Sequence, residues 1–370
     1  MGLRSERLTS IGHDDIDDIA RGAAVLGAGG GGDPYLGSLI AKHAVDVHGP
    51  VQLVAPEDVP DDALVLPVAI MGAPTVIVER PPAGDELARA VEALSDHLGR
   101  PVTHIAFFEV GGLNSMTPIQ TAAETGLPLI DADGMGRAFP ELQMVTFSLE
   151  GISASPMVLA DDKGNVVLLQ AKDNVWAERL ARVATVEMGC SAPIALYPHS
   201  GAQTKAAQVP HTLSLTRDIG RLLREARAEH RDPAAVLTDA FNGHVLLRGK
   251  VVDVSRRTSG GFVRGSARIE GHENDSGSEL ELDFQNENLV ARLDGELVAT
   301  VPDLICVLDA DTGEPITTEA LRYGFRVSVI GLPCDARWRT DEGLALVGPR
   351  YFGYDVDYSP LERGHHEIRG

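Results

Sequence analysis

The sequence predicts an α/β domain with a largely parallel sheet over residues 1–170, then a C-terminal domain over 171–370 that is helical at first and β-rich afterwards. Three observations carry this reading. Short apolar runs alternate with amphipathic stretches between Ala63 and Ile130, the strand–helix–strand pattern of a parallel sheet. From Gly243 onward, strand-like runs alternate with turns rich in Gly, Asn and Asp. Between these regions the pattern switches gradually, so the boundary falls near Gln170 or near Gly243. The third observation is a set of four glycine-rich loops in the first half: Gly27–Tyr35, Met71–Thr75, Glu109–Ser115 and Asp131–Glu141. Glycine lets backbone approach a ligand closely or take positive φ, and loops at element ends are where sites are built.

The elements follow in order. Asp14–Leu26 carries Ile16, Ile19, Ala23 and Leu26 at helical spacing, with acidic residues in its first turns where the helix dipole favours them. The glycine run ends this helix, and Pro34 opens the next over Tyr35–Val45. Ala63–Ile70 reads as a buried strand, Asp85–Leu98 as an amphipathic helix, and Val102–Val110 as a strand. Pro118–Thr125 reads as a helix and Leu127–Ile130 as a strand. Met157–Ala160 and Asn165–Gln170 form a hairpin around Asp161–Gly164. Val175–Met188 and Leu213–Glu229 are helical, with an apolar strand over Ala192–Lys205 between them. The β-rich part comprises His244–Val254, Gly261–Ile269, Glu279–Gln285, Leu289–Leu293 and Phe325–Ile330. His365–His366 falls in a tail read as disordered.

Composition narrows the partners. The chain of 370 residues is 44% hydrophobic and carries a formal charge of −22. Phosphate binding needs a basic surface, so nucleic acid is not an expected partner. Met1–Thr9 lacks the apolar core of a signal peptide, and no run is long enough to span a membrane. Cys190, Cys306 and Cys334 show no zinc, redox or disulfide spacing, which fits a reducing cytoplasm. A small-molecule ligand is expected, with a homo-oligomer left open.

In a parallel sheet, ligands collect at the carboxyl ends of strands. Three of the glycine loops follow expected strands and should therefore converge. Glu109 and Asn114 flank Gly111–Gly112, where a carboxylate can orient water and an amide can bind a carbonyl. Asp131 and Asp133, two apart, can serve as an acid–base pair or as metal ligands, so a divalent metal is left open. Gly30, Gly31 and Gly72 read as backbone walls, with Asp33 and Thr75 facing a ligand. Gly27, Gly29 and Gly32 satisfy G-x-G-x-x-G, but helical rather than strand periodicity precedes them, which argues against a dinucleotide site. His199 and Lys205 bracket a loop after a strand, and Arg350 can clamp a carboxylate. Plainer readings stand beside these: an exposed turn at Glu109–Asn114, a charged loop at Asp131–Arg137, ordinary surface residues at His199 and Lys205, and packing for Arg350 and its aromatic neighbours.

At Gly27–Tyr35, Met71–Thr75, Glu109–Pro118, Asp131–Glu141 and Trp338–Tyr354 the chain resembles the S-methyl-thiohydantoin desulfurase family, long known as a domain of unknown function associated with hydantoinases. The resemblance spans nearly the whole chain. It implies hydrolysis at C2 of a five-membered S-methyl thiohydantoin ring, giving a hydantoin and methanethiol. That chemistry needs a base for water, donors for developing charge and an acid for ring nitrogen or leaving sulfur. An acidic substituent would also need a cation such as Arg137, Lys205 or Arg350. Two alternatives stay open: a non-catalytic subunit or regulator with a hydantoinase-type partner, and a metal-dependent cyclic-amide hydrolase.

Overall fold

A computed structural model describes residues 7–72, 76, 84–259 and 262–361. Thr75 and His365–His366 lie outside the described residues.

The first sheet is built from β1 (Ser10–Ile11), β2 (Val51–Val54), β3 (Leu64–Gly72), β4 (His104–Phe107) and β5 (Leu129–Ile130). After β6 (Ala132–Asp133) it continues with β7 (Met157–Ala160), β8 (Val166–Leu169), β9 (Ser191–Ala195) and β10 (His199–Ser200). The order is β1-β2-β5-β4-β3-β9-β7-β8, with β10 paired to β3. The centre, β2-β5-β4-β3, runs parallel as the alternation predicts, and antiparallel strands extend both flanks. β3 and β4 are apolar almost throughout because helices cover both faces of a parallel sheet. β6 pairs separately with β11 (Val209–Pro210).

The helices are α1 (Ile16–Leu26), α2 (Pro34–His48), α3 (Glu86–Leu98), α4 (Thr117–Thr125), the short α5 (Thr146–Leu149) and α6 (Asn174–Glu187). α7 (Gly201–Ala207), α8 (Thr212–Ala228), α9 (Pro233–Phe241) and α10 (Asp341–Val347) complete the set among the described residues. Asp33 caps α2, its carboxylate accepting from the Tyr35 N–H at 2.9 Å, and Pro34 takes the first helical position. The expected strand over Ala192–Lys205 is shorter than its apolar pattern. Ser200 and Gln203 form a capping box that turns the chain into α7. No helix among the described residues is long and apolar enough to cross a membrane.

The second sheet is antiparallel throughout. Its strands are β12 (His244–Ser259), β13 (Phe262–Gly271), β14 (Glu279–Gln285), β15 (Glu287–Leu293), β16 (Glu296–Thr300), β17 (Leu304–Asp309) and β18 (Arg326–Leu332). Their order is β16-β15-β14-β13-β12-β18-β17. Leu304, Cys306 and Ile330 of this sheet share a core with Ile16, Ile19 and Val25 of α1. Polar ties cross the same boundary. The Cys306 thiol donates to the Val25 carbonyl at 3.2 Å, and the Trp338 indole N–H to the Met135 carbonyl at 2.8 Å. The two parts are therefore packed together where the glycine loops lie.

Candidate active site

The cleft forms where the loop after α1, the ends of β3 and β4, and the start of β15 meet. Gly29–Gly32 make one wall, Ile70–Gly72 another, and Glu109 and Asn114 the floor, with Phe139–Leu142 beside them. The second sheet contributes Asn286, Glu287 and Thr317–Glu319. Backbone bonds fix this junction: Asn288 N–H donates to the Ala28 carbonyl and Thr318 N–H to the Gly29 carbonyl, each at 2.8 Å. The glycines serve the fit. A Cβ on Gly30 would fall 2.1 Å from Glu287 Oε1, and one on Gly112, at φ +54°, would fall 2.2 Å from the Gly31 carbonyl oxygen. Gly111 and Gly112 thus dock one loop on the other rather than lining the cleft.

Glu109 sits at the carboxyl end of β4 and is buried. Asn114 Nδ2 donates to Glu109 Oε1 at 2.7 Å. Asn114 is itself fixed by Ile70, whose N–H donates to Asn114 Oδ1 at 2.8 Å and whose carbonyl accepts from Nδ2 at 3.2 Å. Asn114 therefore orients the glutamate. Glu109 Oε2 is buried without a hydrogen-bond partner. Burial, helped by the Asp133 charge and opposed by the Asn114 bond, pushes the Glu109 carboxyl up to about 8.

Glu287 is the second buried carboxylate of the cleft, and its Oε2 also lacks a partner. Burial raises its pKa and the Glu109 charge adds to this, while Arg137 pulls the other way. Arg137 lies behind the cleft, fully enclosed. Its Nη1 donates to the Pro302 and Asp303 carbonyls at 2.5 and 3.0 Å, and its Nε to the Ala138 carbonyl at 3.0 Å. It offsets the Glu287 charge, and its Nη2 is buried without a hydrogen-bond partner. The cation on the cleft wall is Arg182, paired with Glu178 and held 4.4 Å above the Phe262 ring.

The structure brings together Gly30, Gly31, Gly72, Glu109 and Asn114 among the expected site residues. It places the others elsewhere. Asp131 caps α8, accepting from the Leu213 and Ser214 N–H groups at 3.0 Å and the Ser214 hydroxyl at 2.6 Å. Asp133 accepts from the N–H groups of Val110, Met135 and Gly136 at 3.1, 2.9 and 2.8 Å. Asp33 is spent on the α2 cap. His199 is buried: its Nδ1–H donates to the Tyr197 carbonyl at 2.7 Å, Nε2 meets Gln208 at 3.3 Å, and burial lowers its pKa to about 4. Lys205 pairs with Asp61 at 2.7 Å, and Arg350 with Asp355 and Asp357, all on the surface. The expected convergence thus holds for the loops after β3 and β4. From the loop after β6, the Phe139–Leu142 segment reaches the cleft instead of the aspartates, whose carboxylates turn inward to backbone N–H groups.

Glu287, Arg182 and Thr317–Glu319 were not among the residues expected from sequence. The polar run Gln285–Asn288 reads as a hairpin turn, and Thr317–Glu319 as a loop. Among the described residues no group of three or more His, Cys, Asp or Glu side chains is arranged to hold a metal ion. Burial pushes the Cys334 thiol up to about 12, which leaves it protonated at neutral pH.

Comparison with known proteins agrees across this architecture. A crystal structure of a protein from Chromobacterium violaceum superposes with a TM-score of 0.79 at 25% sequence identity, over 95% of this chain and 99% of that one. A search of the curated proteins found no match. Residues 14–171 match the S-Me-THD-like N-terminal domain and residues 172–361 the S-Me-THD-like C-terminal domain. With matches to both halves and the cleft lying between them, the chain belongs to the S-Me-THD-like family.

Proposed function

We propose that the protein is a hydrolase acting at C2 of an S-methyl thiohydantoin or a closely related five-membered cyclic amide, releasing methanethiol, and that it works on this small molecule in the cytoplasm. The observation that carries the proposal is Glu109, buried at the floor of the cleft, oriented by Asn114 and keeping one oxygen without a partner. A carboxyl group held near neutrality can both take and give a proton at physiological pH. The family resemblance supplies the substrate class, and the cleft supports the reaction type.

The reaction balances simply. Water adds its oxygen to C2 while the C2=N π pair moves to the ring nitrogen, which is protonated. The C2–S bond then breaks, methanethiolate takes a proton, and the C2 hydroxyl loses one to become the carbonyl of the hydantoin. Glu109 is the acid–base group of these transfers. The test is methanethiol release by the purified protein from an S-methyl thiohydantoin, with and without chelator. Thiol release that survives chelation supports the reading. Loss of release on chelation favours the metal-dependent alternative, and no release from any such ring favours a subunit or regulatory role.

A further inference from the structure

We propose that Glu287 is the second catalytic carboxylate, forming with Glu109 a two-residue acid–base pair assembled across the junction of the two domains. This rests on the hydrolytic reading above. Both glutamates line the same cleft, both are buried, and each keeps one buried oxygen that no protein group satisfies. A buried carboxylate oxygen left unpaired is costly, and a catalytic role is one recognised reason for keeping it so.

The backbone around Glu287 is fitted to hold that carboxylate in place. Asn286 takes a left-handed conformation at φ 57° immediately before it. Asn288 anchors the far side, its N–H to the Ala28 carbonyl and its Nδ2 to the Ile305 carbonyl at 2.9 Å. The opposing residue is Gly30, where any side chain would overlap the Glu287 carboxylate. Glycine at that position is explained by the carboxylate it faces.

Charge counting points the same way. The groups facing Glu287 are Glu109 and Arg137. Glu109 faces Asp133 and Asn114 as well, and Glu141, Glu319 and Arg182 stand on the cleft wall. Arg182 is paired with Glu178, and Arg137 is the cation that offsets Glu287. Two buried carboxylates that disfavour one another's charge do not both ionise near neutral pH, so the pair keeps a proton there. That single proton suffices for the reaction. As the ionised member takes a proton from water, the protonated member gives one to the ring nitrogen. In the second half the first gives its proton to methanethiolate and the second takes one from the C2 hydroxyl, which restores the starting state.

The test combines a substrate-free readout with kinetics. Infrared difference spectra of the unliganded protein should show a protonated-carboxyl band at neutral pH that both Glu109→Gln and Glu287→Gln alter. In methanethiol release, Glu287→Gln should cost ~10²–10⁴-fold and remove one limb of the bell-shaped pH profile, with Glu287→Asp keeping both limbs at an intermediate rate. An unchanged carboxyl band in folded Glu287→Gln would overturn the pair, whatever the substrate proves to be. So would a Glu287→Gln rate within threefold of wild type, or one lowered equally at every pH. Absence of thiol release by the wild type, with the band altered in both variants, would instead remove the thiohydantoin reading and leave the pair standing.

Discussion

Two pairs of buried acids lie within a few residues of strand ends in this protein, and they are opposites. Asp131 and Asp133 accept hydrogen bonds from backbone N–H groups at 2.8 to 3.1 Å, and Asp131 also from the Ser214 hydroxyl. Glu109 and Glu287 line a cleft, and each keeps one buried oxygen with no partner. All four are buried, so burial does not separate them. Hydrogen-bond satisfaction does. The aspartates are used up in holding β6 to α8 and to the loop after β4. The glutamates retain acceptor capacity, which is what proton transfer requires.

The comparison can be broken from either side. The largest effect outside the glutamates themselves is expected at Gly30→Ala. Its Cβ would force the Glu287 carboxylate from its place, and misplacing a reacting group by about 1 Å can cost ~10²-fold in turnover. Steady-state methanethiol release measures this, and an unchanged rate would separate Glu287 from the chemistry. At Asp131→Ala the loss should appear in stability instead. Uncapping α8 and orphaning buried donors should cost about 1–3 kcal/mol in chemical denaturation, with turnover per folded molecule retained. A catalytic defect there without a stability change would merge the two pairs.

A smaller, graded effect concerns pH. Glu109 is raised by burial to about 8 from an ordinary value of 4.5, so the folded state holds a proton that the unfolded state releases in between. Its contribution to stability is therefore full below about 4.5 and is lost as pH rises through about 8. Asp133, Glu287 and Arg137 face the same region and remain in both proteins. Glu109→Gln should gain stability relative to wild type as pH rises from about 5 to about 8, read from melting temperatures across that range. A constant difference would mean that Glu109 titrates normally. The smallest effects belong to Lys205→Ala and Arg350→Ala. Both residues sit in solvent-exposed ion pairs away from the cleft, so Michaelis constant and melting temperature should stay at wild-type values.

The same contrast explains what the sequence reveals. The α/β framework is legible because β3 and β4 are near-continuous apolar runs and α3 is strongly amphipathic. Glu109 and Asn114 are legible because a polar pair brackets two glycines after such a run. Asp131 and Asp133 show the same local signature. What distinguishes Asp131 is Leu213 N–H, 82 residues downstream, which no local pattern reports. Asp133, by contrast, is satisfied largely by the Met135 and Gly136 N–H groups beside it, with Val110 N–H from the loop after β4. Glu287 is hidden for a related reason. Between two β-strands, Asn286–Asn288 reads as a solvent-exposed turn, and its burial arises only when β15 docks on the loop at Ala28 and Gly29. Helix α9 carried a readable start in Asp232–Pro233, a cap followed by proline at the first helical position. Strands β16 and β17 are short and separated by few residues, which blurs their period.

The central claim is that the unsatisfied glutamate at the end of β4 performs the chemistry. The most direct measurement is methanethiol release from an S-methyl thiohydantoin by wild type and Glu109→Gln, with the folded fraction of each fixed by circular dichroism and melting temperature. A folded variant whose turnover falls by ~10²–10⁴-fold is the expected result. A folded Glu109→Gln protein that releases methanethiol at the wild-type rate would contradict it.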